Sequence, residues 1–307
     1  MATLIPALCS EPVVSEYESP DELSSALDRV GYLADRGLAT AAFLALRMRR
    51  PLFCEGEPGT GKTSLALALA SALDVPLIRL QCHEGIDAAA ALYDWDFPRQ
   101  LLHLRTLETA TGGAPLDADA AEASLYTSRF LLARPLLRAL RESPCVLLVD
   151  EIDRADDEFE AFLLEVLSDF QISIPEVGTI KAERPPLVIL TSNRTRELHD
   201  ALKRRCLYHW IGYPPAEREV EIVCVREPGV APALARQVVA AVHRLRELDL
   251  AKPPGVAETI DWARTLDFLG VGDLSEAAAE DTLGSVIKER DDLDLVRDSL
   301  AEITSGG

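Results

Sequence analysis

The chain has 307 residues, with 31 Lys or Arg against 51 Asp or Glu and a formal net charge of −20. That length supports one large domain or two smaller ones, and the composition is that of an ordinary globular protein. So acidic a surface repels phosphate backbones and argues against a dedicated nucleic-acid binder; no run approaches the ~18 apolar residues of a membrane span.

Cysteine usage adds a further exclusion. Cys9, Cys54, Cys82, Cys145, Cys206 and Cys224 form no C-x-x-C pair. The scatter suits a reducing compartment and gives no zinc site. Cys54 and Cys145 stand in apolar runs and read as small buried hydrophobes, and His83 beside Cys82 is not a metal-binding spacing. Met1 to Cys9 has no charged start and is interrupted by Pro6, so the expectation is a cytoplasmic protein.

Residues 1–20 read as a flexible lead-in, rich in Pro, Ser and Glu over Ser10 to Pro20. From Asp21 to Met48 the apolar spacing is helical. Pro51 opens a first short strand to Glu55, and Gly56-Glu-Pro-Gly-Thr-Gly-Lys-Thr63 follows, leading into an Ala/Leu-rich helix from Ser64 to Leu73. The eight residues fit G-x-x-x-x-G-K-[ST], the pattern of a phosphate-binding loop. Gly56, Gly59 and Gly61 are expected to take backbone conformations closed to residues with a Cβ. Successive N–H groups, those of Glu57, Pro58-flanking Gly59, Thr60 and Ser64 among them, would wrap the phosphates at the helix N-terminus. Lys62 would reach the β- and γ-phosphates, and the Thr63 hydroxyl would hold Mg²⁺.

Pro76 to Leu80 reads as a second strand, Cys145 to Val149 as a third, Leu187 to Leu190 as a fourth and Leu207 to Ile211 as a fifth. Helical stretches alternate with them, which predicts an α/β fold: a parallel five-stranded sheet between helices. Ligands in such sheets bind beyond the carboxyl ends of the strands. Two segments exceed a minimal α/β unit. Tyr93 to Ala133 is an insert with a Gly112-Gly113 turn, and 170–184 is hairpin-like, alternating over Phe170 to Pro175 and turning at Gly178. Pro214-Pro215 marks a boundary. Beyond it four stretches are helical in pattern: Ala216–Arg226, Pro232–Leu248, Glu258–Leu269 and Glu276–Lys288. The expected organisation is a nucleotide-binding core over 21–213 and a small all-α domain over 214–307.

The third strand ends in Asp150-Glu151. Asp150 at its tip suits Mg²⁺ held through water; Glu151 suits a general base that polarises a water for attack on the γ-phosphate. Asn193 ends the fourth strand in Thr-Ser-Asn, where an amide orients that water or senses the phosphate. Arg204 and Arg205 follow a short helix over Glu197 to Lys203, and a guanidinium suits developing phosphate charge, supplied in trans as an arginine finger.

These motifs together resemble the AAA+ ATPases from about Val30 to about Leu269, and within them the MoxR family. The likeness rests on Gly56 to Thr63, Arg134-Pro-Leu-Leu-Arg138, Val149-Asp-Glu-Ile-Asp153, the hairpin Phe170 to Ala182, Thr191-Ser-Asn193 and Leu202-Lys-Arg-Arg205. Leu92 to Gln100 and Leu207 to Pro214 look like the CoxD-type subgroup, which assists maturation of a molybdenum–copper carbon monoxide dehydrogenase. The resemblance implies an ATPase using ATP and Mg²⁺ in a ring, usually a hexamer. Lys62, Thr63, Asp150, Glu151 and Asn193 would act in one subunit, with Arg205 or Arg204 reaching in from the next. It also implies a von Willebrand A-domain partner and a client metalloenzyme, with the insert and hairpin facing the pore or client, and a C-terminal helical lid. One departure is visible: Thr259 stands where such proteins commonly carry a lid arginine that senses nucleotide, and Arg264 lies a turn later. That departure keeps open a nucleotide-gated assembly switch with little turnover; a nucleic-acid motor is the other alternative, and the charge speaks against it.

Overall fold

A computed structural model describes residues 17–110 and 118–304. The lead-in up to position 16, Cys9 and the Gly112-Gly113 turn lie outside the described residues. Nine strands occur among those described: β1 (Leu52–Glu55), β2 (Leu77–Gln81), β3 (Tyr93–Trp95), β4 (Leu131–Ala133), β5 (Val146–Asp150), β6 (Gln171–Ile174), β7 (Gly178–Lys181), β8 (Leu187–Ser192) and β9 (Leu207–Trp210).

Five of these form one sheet in the order β2-β5-β8-β1-β9, with every neighbouring pair parallel. The fold is the expected α/β one. Successive side chains of a strand point to opposite faces, and both faces here are covered. Phe53, Leu147, Val149, Val188 and Leu190 enter one buried cluster, with Leu137, Phe159 and Leu163 from helices on that side. Leu52, Cys54, Val146, Leu148 and Ile189 enter the other, with Leu23, Leu38, Leu65 and Leu69. Burial on both faces is why β5 and β8 are apolar along nearly their whole length rather than alternating.

The helical span expected over Asp21 to Met48 is two helices, Pro20–Arg29 and Arg36–Met48. The break has local causes. Gly31 takes φ +78°, and Asp35 caps the second helix, its carboxylate accepting from Leu38 N at 2.8 Å. The helix after the phosphate loop, Lys62–Leu73, buries residues on nearly every side, which fits its lack of a polar stripe.

The segment 93–133 opens on β3 and closes on β4. These pair antiparallel, Tyr93 opposite Ala133, and bracket the helices Phe97–Ala110 and Ala118–Leu125. Trp95 packs edge-on against Tyr93 and Tyr126 there. The hairpin is β6 with β7, Ile172 opposite Ile180. The short helix before Arg204 covers only Asp200–Lys203, not Glu197 onward.

The C-terminal helices Ala216–Arg226, Pro232–Glu247, Val256–Phe268 and Glu276–Thr282 surround a cluster of their own. At its centre Trp262 is fully buried and donates through Nε1 to Thr282 Oγ1 at 2.7 Å. The fourth helix stops well before Lys288, and two further short helices follow, Arg290–Asp298 and Leu300–Thr304. Among the described residues no helix is long and apolar enough to cross a membrane.

Candidate nucleotide site

The carboxyl ends of β1, β5 and β8 bring the sequence-marked residues to one place. The phosphate loop leaves β1, Asp150-Glu151 ends β5, and Asn193 follows β8. A cleft of about 580 Å³ lies over them, walled on the other side by the C-terminal helices. Pro58, Gly59, Thr60, Gly61, Lys62, Thr63 and Ser64 line it, with Asp150, Glu151 and Asn193. Its volume is in the range of small-molecule sites.

Within the loop, Gly59 and Gly61 take φ +73° and +91°, conformations that favour glycine. Gly56 differs from expectation: its φ is not in that region, and its need is space. A Cβ there would lie 2.0 Å from the Ile211 carbonyl oxygen. Thr60 Oγ1 donates to the exposed Glu57's carbonyl at 2.8 Å and braces the turn. Lys62 is buried, and its Nζ donates to the carbonyl oxygens of Gly56 and Glu57 at 2.7 and 2.6 Å. An ammonium has three donors, so one remains for a phosphate. Burial pushes the Lys62 pKa down, against the opposing pull of Asp153, Glu57, Cys54 and Asp150.

Asp150 is buried and ringed by donors. Thr63 Oγ1 lies 3.0 Å from Oδ1, Thr191 Oγ1 donates to the same oxygen at 2.5 Å, and Arg79 Nη2 lies 2.6 Å from Oδ2. Glu151 takes left-handed backbone, φ 55° and ψ 50°, which costs on the order of 1 kcal/mol for a residue with a side chain. The Thr191 hydroxyl accepts from its N–H at 2.9 Å. Two amides reach its carboxylate: Gln81 Nε2 to Oε2 at 3.1 Å and Asn193 Nδ2 to Oε1 at 3.3 Å. Arg154 Nε is 3.1 Å from Oε2. Beneath them Asp153 is buried, and its Oδ2 accepts from Asn193 N at 3.2 Å and from Thr195 N and Oγ1, both at 2.8 Å.

Arg79, Gln81 and Arg154 were not singled out from the sequence, and Asp153 and Thr191 only as the ends of motifs, with no role of their own. Parallel pairing sets Gln81 beside Asp150, with Arg79 two residues before it on the same face. The signal was present as Arg-Leu-Gln at the end of an apolar run, but it gains meaning only once β2 is known to neighbour β5.

Arg204 and Arg205 are not brought to this cleft. Both are exposed just before β9, whose Leu207 pairs with Leu52 at the start of β1. The loop leaves the other end of β1, so roughly 10 Å of strand separates them. Arg50 holds their backbone there, donating to the Arg204, Arg205 and Cys206 carbonyls at 2.9, 3.1 and 3.1 Å.

The donor set suits ATP with Mg²⁺. Thr63 and Asp150 offer hard oxygens 3.0 Å apart, the ligand type a Mg²⁺ ion takes. The apolar end of the cleft, with Leu33, Leu38, Ile222, Val256 and Ile260, suits the flat faces of a base.

Residues 52–211 match the family described as ATPase family associated with various cellular activities (AAA). Among curated proteins, the chain is 28% identical over 211 residues to the uncharacterized protein YojN of Bacillus subtilis. That match covers 66% of this chain and 61% of YojN, so the chain spans less than two thirds of that relative. It is 25% identical over 222 residues to the denitrification regulatory protein NirQ of Pseudomonas aeruginosa, covering 70% of this chain and 74% of NirQ. To the chaperone MoxR1 of Mycobacterium tuberculosis it is 34% identical over 111 residues, 34% of this chain and 29% of MoxR1.

Proposed function

The chain belongs to the AAA ATPase family, and on that premise we propose that it binds and hydrolyses ATP in this cleft to remodel a client protein. The observation that carries the site reading is the convergence of Thr63, Asp150, Glu151 and Asn193, from three separate stretches of chain, within hydrogen-bonding reach. Lys62 and the loop amides bind the phosphates. Thr63 and Asp150 would hold Mg²⁺, which when bound would polarise the phosphoryl oxygens. Glu151, steadied by the Gln81 and Asn193 amides, accepts the proton of the attacking water. Arg205, or Arg204, comes from a neighbouring copy, because its own cleft is out of reach across the sheet.

The assembly is then a ring, a hexamer on the family pattern, with the core ending at 213 and the lid running from 214. The likeness to NirQ, a denitrification regulatory protein, and to the chaperone MoxR1 supports a regulatory or chaperone role of MoxR type. The client is a metalloenzyme such as a molybdenum hydroxylase, with a von Willebrand A-domain protein as partner. The insert between β3 and β4 and the hairpin β6–β7 are the surfaces that meet them. The site is tested by ATP turnover in Lys62→Ala; turnover indifferent to that change would place hydrolysis elsewhere. The client is tested in cells: deletion should leave a metalloenzyme polypeptide at normal level but without its metal centre, and normal metal content would remove the maturation role.

A second reading, a nucleotide-gated switch with little turnover, draws on Thr259. That residue is fully buried and is not among those lining the cleft, its hydroxyl donating to Glu219 Oε1 at 2.7 Å. Steady turnover of more than one ATP per subunit would dispose of it.

A further inference from the structure

The lid helix Val256–Phe268 begins against the phosphate loop. Val256 N and Ala257 N donate to the Gly59 carbonyl oxygen at 3.0 and 3.3 Å. Gly255, just before them, has φ −85° and ψ −176°. This is ordinary extended backbone open to any residue, so torsion gives no reason for glycine. Space does. A Cβ on Gly255 would lie 2.8 Å from Gly59 Cα and 2.8 Å from the Pro58 carbonyl oxygen. Facing it, a Cβ on Gly59 would lie 3.0 Å from Gly255 Cα. Two glycines, one on each side of the cleft, let loop and lid touch backbone to backbone.

A charged network behind the contact holds it in place. Arg246 Nε donates to the Pro254 carbonyl at 2.8 Å, which fixes the residue ahead of Gly255. Its two terminal nitrogens each lie 2.7 Å from a Glu219 oxygen. Glu219 is fully buried and also meets His243 Nε2 at 2.9 Å and the Thr259 hydroxyl at 2.7 Å. The Arg246 guanidinium stacks on Tyr213, 4.2 Å from the ring centre, and Tyr213 lines the cleft. Glu258 caps the approach, its Oε2 accepting from Gly255 N at 3.0 Å.

We propose that Gly255 and Arg246 are positioning residues for ATP hydrolysis, through which the lid reads the phosphate loop by direct backbone contact at Gly59. The position that would carry a sensing arginine is committed to the lid's interior, since Thr259 belongs to the Glu219 network. Arg264 also lines the cleft, but it is engaged with Glu227 and with Asp261. What moves with the loop is the Gly59 carbonyl, and that is the group the first two lid amides hold. Filling the loop with phosphate therefore acts on the lid without any lid side chain at the phosphates. The proposal rests on ATP binding in this cleft.

The test uses the full chain, a fluorescent ATP analogue to read binding, and hydrogen exchange over 255–262 with and without a slowly hydrolysed ATP analogue and Mg²⁺. In the unmodified chain the analogue should change exchange there by ~5-fold or more. Gly255→Ala should still bind the fluorescent analogue, lose that response, and lower kcat ~10-fold with KM within ~3-fold. Glu258→Ala, which adds no atom, should weaken the response in the same direction and covers the case in which Gly255→Ala does not fold. Arg264→Ala should keep it. A retained response in both Gly255→Ala and Glu258→Ala, or its loss in Arg264→Ala alone, would overturn the proposal. Absence of fluorescent-analogue binding by the unmodified chain would instead remove the cleft as the ATP site.

Discussion

Arg79 Nη2 lies 2.6 Å from Asp150 Oδ2, so a guanidinium already sits on the carboxylate that is proposed to help hold Mg²⁺. The two partners differ: the Arg79 side chain is 52% exposed and that of Asp150 only 3%. Arg79 stands on an edge strand and has room to swing out. Asp150 is held in place by hydrogen bonds from Thr63 and Thr191. Arg79 also donates to Gln81 Oε1, and Gln81 in turn reaches Glu151. The two acidic residues are thus tied together through β2.

This arrangement predicts a competition between like charges. Arg79→Met should lower the Mg²⁺ concentration that half-saturates tight nucleotide binding by about 5-fold, the equivalent of about 1 kcal/mol for a pair with one exposed partner. A titration of fluorescent ATP analogue with Mg²⁺ reads it directly. An unchanged or raised midpoint would show that Arg79 leaves the carboxylate at no cost.

Asp153 carries a different prediction. One of its oxygens accepts three hydrogen bonds from Asn193 and Thr195, while Oδ1 is buried without a partner among the described residues. Asp153→Ala leaves those donors unmatched and should cost about 3 kcal/mol of stability, read by denaturant unfolding. It should also lower turnover, because Asn193 loses the anchor that aims its amide at Glu151. Loss of turnover with no loss of stability would point to a direct chemical role instead.

Legibility from sequence followed how local each feature is. The phosphate loop is contiguous and its requirements are met within eight residues, so Lys62 and Thr63 stand out unaided. Asp150-Glu151 and Asn193 stand out because each ends an apolar run. Arg79 and Gln81 do not, since their role depends on β2 lying beside β5, a pairing of residues about seventy positions apart. Gly56 was identified but for a different reason, the approach of Ile211 at the end of the neighbouring strand β9 being invisible in the chain. The insert's small sheet was also hidden, because strands as short as Tyr93–Trp95 and Leu131–Ala133 carry no readable alternation.

Glu151→Gln should bind ATP as well as the unmodified chain and lose steady-state turnover by a factor of ~10² or more. The substitution keeps the shape that Gln81 and Asn193 contact and removes only the proton acceptor. Equal turnover in a phosphate-release assay would shift the role of base to another group.

The buried thiols should be silent toward alkylation. Burial pushes Cys54, Cys82 and Cys206 up to about 12 and Cys145 to about 11. At pH 8 that leaves a thiolate fraction of about 10⁻³ or less. Cys224 is partly exposed and should be modified first among the described cysteines when labelling is followed by mass spectrometry. Early labelling of Cys82, which borders the acidic cluster, would mean that β2 opens in solution.

Arg204 and Arg205 give the prediction on which the ring rests. Both side chains are exposed at the amino ends of the strands, and the cleft is at the carboxyl ends. No side-chain rotation within one chain spans that distance, so a contribution to the phosphates has to come from a second copy. Turnover per subunit should therefore rise with protein concentration in step with mass measured by light scattering. Arg205→Ala should still assemble and lose ~10³ in rate, the scale of an arginine supplied in trans. Arg204→Ala separates the pair: whichever substitution leaves assembly intact and removes turnover identifies the finger. Turnover that is independent of concentration and indifferent to both arginines would mean that each chain completes its own site, and the ring would then have no catalytic reason to form.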